Sequence, residues 1–179
     1  MRRGRHPTAF LACLLMLAHL VGVPDADAKE DGDLLTEREL RLSLTDLNGR
    51  RTDLTQFGGK ALIVFFWAHY AAPATRLLAP LTLVDTRLRE KGVQVVGIAV
   101  KVDKTESVMR RIRQYDVKYP TFIDDGPLAA SLNVPAVPVV FLISHERRIV
   151  RRYNGPVEPD RLIRDAQTML AGRGSQMAR

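Results

Sequence analysis

Hydrophobic positions along this chain follow three rhythms, and each predicts a kind of element. Residues 61–67 and 93–100 are apolar almost without a break. Such strands are covered on both faces, as in the middle of a sheet with helices on either side. Between them Leu77, Leu78, Leu81, Val84 and Leu88 recur with the helical period and predict a helix over residues 74–90, ended by Gly92. Pro80 falls inside it and predicts a kink, because the ring removes a backbone donor and crowds the preceding turn. Leu40, Leu42 and Leu44 alternate with polar neighbours, and Asn48-Gly49 supplies the turn of a hairpin.

The second half repeats these rhythms on a smaller scale. Asp103-Lys104-Thr105-Glu106 reads as a capping box that opens a helix carrying Val108, Ile112 and Tyr115. Residues 119–123 form a short extended segment, and residues 124–132 a turn with a brief helix. Residues 139–143 and 149–153 pair as a hairpin. Pro159 suits the first turn of a last helix, in which Leu162, Ile163, Ala166, Met169 and Leu170 make the apolar stripe. The sum is an α/β protein.

The N-terminus changes the picture of where the chain acts. Arg2, Arg3 and Arg5 precede an apolar run over residues 8–23, and Ala26-Asp27-Ala28 fits a small-x-small cleavage site. That is a secretory signal over residues 1–28. The apolar run is shorter than the roughly 20 residues of a spanning helix; an uncleaved membrane anchor is the alternative. Removing 28 of 179 residues leaves 151, enough for one domain with a proper core. Residues 29–39 are expected to be a flexible lead-in, residues 40–171 the domain and residues 172–179 a disordered tail. The location is then periplasmic or secreted.

Cysteine usage narrows the chemistry. The single cysteine, Cys13, lies inside the signal, where Phe10-Leu11-Ala12 makes a poor lipobox. The mature chain therefore holds no thiol and forms no disulfide, although export leads to compartments that permit them. Net charge is +7, falling to +6 once Arg2, Arg3, Arg5, Asp25 and Asp27 leave with the signal. No nucleic-acid partner is expected of an exported protein. An anionic membrane surface or an acidic protein suits the charge better, and a plain solvated surface suits it better than either.

Residues 65–74 read Phe-Phe-Trp-Ala-His-Tyr-Ala-Ala-Pro-Ala, at the junction of an apolar strand and a helix. That layout resembles a thioredoxin active site, C-x-P-C at a helix start, with Ala71 and Ala74 in the cysteine positions and Pro73 kept. Other residues extend the resemblance from about Leu40 to Leu170: Leu47-Asn48-Gly49, Gly59-Lys60, Phe66-Trp67-Ala68, Tyr119-Pro120, and Val137-Pro138 before Val140-Phe141-Leu142-Ile143. Together they resemble the exported thioredoxin-like family of the redoxin superfamily, with its TlpA- and ResA-type reductases of cytochrome c maturation. The resemblance implies a thioredoxin fold: a central mixed β-sheet flanked by helices, with an N-terminal β-hairpin and an inserted helix. It also implies that Pro138 is cis and faces the active-site dipeptide.

Dithiol chemistry needs a thiolate, whose pKa is lowered at a helix N-terminus, and a second thiol to resolve the mixed disulfide. Alanine supplies neither, and the peroxidase relatives also attack with a thiolate. Phe65 stands where relatives carry a polar group that assists proton transfer. The expected function is therefore a redox-inactive binding module of thiol-disulfide oxidoreductase lineage. It would hold an exported protein or peptide beside Pro138, in a groove of Trp67, His69, Tyr70, Pro73, Val137 and Pro138, and act in cytochrome c maturation or disulfide handling.

The alternative is an enzyme with non-thiol chemistry centred on His69, for which Thr75 is the nearest aliphatic hydroxyl in sequence. His69 and His145 lie on different elements, so no metal cluster and no cofactor is expected. Arg147, Arg148, Arg151 and Arg152 form a basic edge. A charged edge strand guards against aggregation, and a weak docking contact with anionic lipid is the other reading.

Overall fold

The structure, a computed structural model, describes residues 32–177, with side chains as far as residue 172. The signal expected over residues 1–28 lies outside them. The chain enters along the far hairpin: Gly32 N donates to Ile149 O at 2.6 Å and Ile149 N to Asp33 O at 2.7 Å, while Leu35 N donates to Arg147 O at 2.8 Å. Leu35 is buried. The described part of the expected flexible lead-in is thus held in place, because its backbone groups find partners and its leucine finds the core. α1 (Glu37–Leu40) follows with a complete capping box between Thr36 and Glu39. That box draws Leu40 into a helical turn, so the alternation over residues 40–44 becomes a strand only from Leu44.

β1 (Leu44–Asp46) and β2 (Arg51–Thr52) form the expected hairpin. The Asp46 carboxylate accepts from Asn48 N and Arg50 N at 2.8 Å each, and Gly49 takes the left-handed φ of 82° that the turn requires. β3 (Ala61–Trp67) is buried along its whole length, as its unbroken apolar sequence demands.

Instead of one kinked helix over residues 74–90, the chain makes α2 (Ala72–Thr75) and α3 (Leu78–Leu88). The break at residues 76–77 lies where Pro80 offers no N–H to the carbonyl four residues back and its ring crowds that carbonyl. Pro80 instead occupies the first turn of α3, where no donor is needed. β4 (Val93–Val100) is fully buried, and α4 (Thr105–Gln114) follows. The capping box expected at Asp103 does not form. Lys104 is the N-cap and no side chain caps the helix, because the Asp103 carboxylate accepts from Lys104 N at 2.9 Å.

β5 (Thr121–Asp124) ends in a buried carboxylate that accepts from Leu128 N at 3.2 Å and Ala129 N at 2.7 Å, holding α5 (Pro127–Ser131) against it. β6 (Val139–Ile143) and β7 (Ile149–Asn154) make the second hairpin, and α6 (Pro159–Met177) closes the chain. α6 carries its helical backbone through Gly172 to Met177, into the stretch expected to be a disordered tail.

One seven-stranded sheet results, in the order β2-β1-β5-β4-β3-β6-β7. β3, β4 and β5 run parallel, and β6 returns antiparallel to β3. Side chains alternate across β3. Ile63, Phe65 and Trp67 join Leu78, Leu81 and Leu88 of α3, Val108 of α4 and Leu162 of α6 on one face. Leu62, Val64 and Phe66 join Leu40, Phe57, Leu128 and Leu132 on the other. One charge is buried in the first layer. Asp85 accepts from Gln94 Nε2 at 2.9 Å and Val95 N at 3.1 Å, and pairs with the half-exposed Arg89.

Candidate functional site

β3 delivers the chain to the site with every residue buried through Ala68, and the next three residues turn into α2. Ala71 N donates to Ala68 O at 3.1 Å, and Ala71 O accepts from Ala74 N at 3.0 Å and Thr75 N at 2.9 Å. Ala71 is therefore the N-cap, and its side chain supplies no capping bond. The two alanines face different surroundings. Ala71 is half-buried at the rim, whereas Ala74 is wholly buried in the layer that holds Phe65 and Trp67. Beneath Ala74 there is hydrocarbon where a proton relay would need a polar group.

A cleft of about 250 Å³ opens beside Ala71. Tyr70 and Ala71 come from the loop before α2, Val100 and Lys101 from the end of β4, and residues 134–137 from the loop before β6. The Val137–Pro138 bond is cis, as the resemblance implied, and Pro138 O accepts from Gly155 N at 2.9 Å. Tyr70 and Val137 thus meet in one cleft, with Pro138 next in the chain and itself buried. Pro73 is exposed in α2 and does not line it.

Trp67 cannot flank a groove, because it is 0% exposed. Its place in the alternation of β3 puts it in the core with Phe65, and its Nε1 has no hydrogen-bond partner among the described residues. Val100, Lys101 and residues 134–136 line the cleft without having been singled out in the sequence. One rule pointed to them: in open α/β sheets the ligand crevice lies at the carboxyl ends of the parallel strands.

His69 faces away from this cleft, into a separate cavity against α4. Its Nε2 stands 3.7 Å from Asp103 Oδ1, beyond hydrogen-bond distance, and its Nδ1 is buried without a partner. Thr75 Oγ1 is buried and donates to Ala72 O at 3.2 Å, so the nearest aliphatic hydroxyl in sequence is spent on the helix. Among the described residues, no three His, Cys, Asp or Glu side chains come together in a metal-ligand cluster.

The basic edge is occupied with internal bonds. Arg147 donates to Phe57 O at 2.9 Å and Lys60 O at 3.3 Å, and partial burial lowers its pKa. Arg148 donates to Gly32 O at 2.5 Å. Arg152 donates to Leu132 O at 3.2 Å and Asn133 O at 2.5 Å and lies 5.2 Å from the Phe141 ring centroid. β7 is the edge strand, as expected, and three of its flanking arginines clamp neighbouring loops.

A mixed sheet of this order, with a cis-proline loop and a helix start at the carboxyl ends of its central strands, defines a thioredoxin-like α/β protein. The chain belongs to the AhpC/TSA family, whose model matches residues 36–152. It is similar to thiol-disulfide oxidoreductase ResA of Bacillus thuringiensis subsp. konkukian, at 28% identity over 121 residues, which cover 66% of this chain and 69% of that one. ResA of Bacillus subtilis is 25% identical over 128 residues, covering 71% and 70%.

Two solved structures share the fold. A secreted Mycobacterium tuberculosis disulfide oxidoreductase homologous to Escherichia coli DsbE superposes with a TM-score of 0.65 at 21% identity, covering 74% of this chain and 99% of that one. A putative thiol:disulfide interchange protein DsbE from Chlorobium tepidum gives 0.67 at 20% identity, covering 79% and 97%. The lineage is that of the thiol-disulfide oxidoreductases, and the described residues contain no cysteine.

Proposed function

We propose that this protein is a redox-inactive binding module of the cell envelope, holding an extended segment of an exported protein in the cleft beside Pro138. The observation that carries the reading is the cleft itself. It is open and largely apolar, with Ala71 in its wall where a nucleophilic sulfur would stand. An extended peptide beside a strand-like loop gains affinity from main-chain hydrogen bonds and selectivity from side-chain pockets, and neither requires a thiol. Without sulfur the segment is bound and released rather than reduced.

Export rests on the signal pattern over residues 1–28, and the secreted Mycobacterium tuberculosis protein of the same fold agrees with it. Cysteine-bearing exported proteins, including those of cytochrome c maturation, are the partners this lineage suggests. A weak contact between the arginine strip and an anionic membrane is a lesser part of the reading, since Arg147, Arg148 and Arg152 already serve backbone carbonyls. The enzymatic alternative centred on His69 draws little support from the geometry, because the hydroxyl of Thr75 is buried and donates to Ala72 O.

The test is a titration of the mature protein, beginning at Lys29, with the extended peptide N-acetyl-Ala-Val-Ala-Val-amide, followed by NMR. Saturable shifts confined to Tyr70, Lys101 and residues 134–137, weakened by Tyr70→Ala, are expected. Shifts elsewhere, or none, would overturn the reading.

A further inference from the structure

We propose that the cavity between His69 and α4 is a carboxylate subsite, which reads an acidic side chain on the segment held in the neighbouring cleft. The inference rests on the peptide-binding reading and names the chemistry of the peptide. The cavity has a volume of about 210 Å³ and is lined by His69, Ser107, Arg110, Arg111 and Gln114. The last four recur at i, i+3, i+4 and i+7 along α4, which places them on one face of the helix. A polar helix stripe ordinarily faces water. Here part of it is folded against the His69 loop: Ser107 is buried and Arg111 half-buried, while Arg110 and Gln114 stay exposed at the mouth.

Both guanidinium groups are held in position by neutral acceptors. Arg111 donates through Nε to His69 O at 3.0 Å and through Nη1 to Gln114 Oε1 at 2.8 Å. Arg110 Nη2 donates to Ser107 Oγ at 3.1 Å. Among the described residues, neither arginine is ion-paired with a carboxylate. Two positioned cations without a counter-charge suit a carboxylate, because the guanidinium fork matches its two oxygens.

The imidazole points the same way. Neither ring nitrogen of His69 has a hydrogen-bond partner among the described residues, although Nδ1 is buried. A buried polar atom left unpaired calls for an explanation such as an ordered water or an ion. Asp103 is the opposing charge at this end. It stands 3.7 Å from Nε2 with a side chain 69% exposed, so solvent screens it.

Proximity joins this cavity to the cleft. The rings of His69 and Tyr70 pack edge to face with centroids 5.2 Å apart, and Tyr70 lines the cleft. An extended chain advances about 3.3 Å per residue. The acidic residue would therefore lie within about two positions of the one against Tyr70.

The experiment compares two probes at constant ionic strength, N-acetylglutamate α-amide and N-acetylglutamine α-amide, by NMR of arginine Nε and histidine ring signals. The glutamate probe is expected to shift His69, Arg110 and Arg111 saturably, and the glutamine probe to leave them in place. Arg110→Gln, at an exposed position, should weaken the glutamate response at least about tenfold while the amide spectrum stays dispersed. Arg110→Lys should keep part of it. Equal responses to the two probes, responses spread over the remaining arginines, or an unchanged affinity in Arg110→Gln would overturn the proposal. Binding of N-acetyl-Ala-Val-Ala-Val-amide at Tyr70 without a glutamate response rejects the subsite alone. Silence from both the tetrapeptide and the glutamate probe rejects the peptide-binding reading as well.

Discussion

Ala71 and Ala74 differ in their surroundings, and the difference sets what sulfur would do at each. A cysteine at half-buried Ala71 would sit at the N-cap of α2, where the backbone dipoles favour thiolate; one at buried Ala74 would sit in hydrocarbon, which disfavours it. The unmodified protein is expected to leave insulin disulfides intact. Ala71→Cys with Ala74→Cys is expected to form a disulfide and reduce insulin slowly, since Phe65 offers no proton relay. A folded double variant whose thiols both stay free would show that this turn no longer has disulfide geometry. Tyr119 carries a second prediction. Burial, with Asp85 nearby, raises its pKa, and its hydroxyl donates to Leu78 O at 3.2 Å. A phenol whose folded pKa is raised holds its proton in the folded state after the unfolded chain has lost it. Its stabilisation is thus complete below about pH 10 and is lost as pH rises above that. Tyr119→Phe should flatten the alkaline fall of Tm between about pH 10 and 11.

At the scale of elements, two places show packing and polarity in competition. Asp85 ties α3 to β4 through Gln94 and Val95 N. Asp85→Ala would strand those donors and leave Arg89 without its carboxylate, a loss of about 3 kcal/mol measurable by urea unfolding. Gly97 of β4 is closely covered by side chains of Thr121 and Tyr119. A Cβ there would lie 2.9 Å from Thr121 Oγ1 and 3.1 Å from Tyr119 Cε2. Gly97→Ala should cost about 1–3 kcal/mol, and Gly97→Ala with Thr121→Ser should recover little, because the Thr121 oxygen and the Tyr119 ring both remain. Boundaries were the less legible part of the elements. Pro80 announced a disturbance in the helix, yet whether the chain would bend or stop depended on α2 finding its own first turn at Ala72.

For the whole molecule, export and the edges of the sheet belong together. Mass spectrometry of the envelope or secreted fraction should find a mature N-terminus at Lys29; recovery of the intact precursor in membranes would favour the anchor. Residues 32–35 then lie beside the start of β7 and cover part of that edge through their bonds to Arg147 and Ile149. An exposed strand edge is a template for unwanted pairing. A shortened protein that begins at Thr36 should therefore be more prone to association, as light scattering on concentration would show.

Some properties were decided by composition and pattern alone. The two-sided apolar runs at residues 61–67 and 93–100 required a central sheet with helices on both faces, since such strands have no face to give to water. With alanine at residues 71 and 74, residues 14–179 hold no thiol whatever the fold, because no packing supplies a missing sulfur. Tertiary structure decided the rest. Trp67 and Tyr70 look equally suited to grip a ligand in the sequence, yet one is 0% and the other 58% exposed, since strand alternation ends between them. The polar stripe of α4 reads as a solvated face until the loop at His69 folds against Ser107 and Arg111. Groups from separate segments become a site only when backbone topology sets the distance between them, and no local pattern encodes that distance.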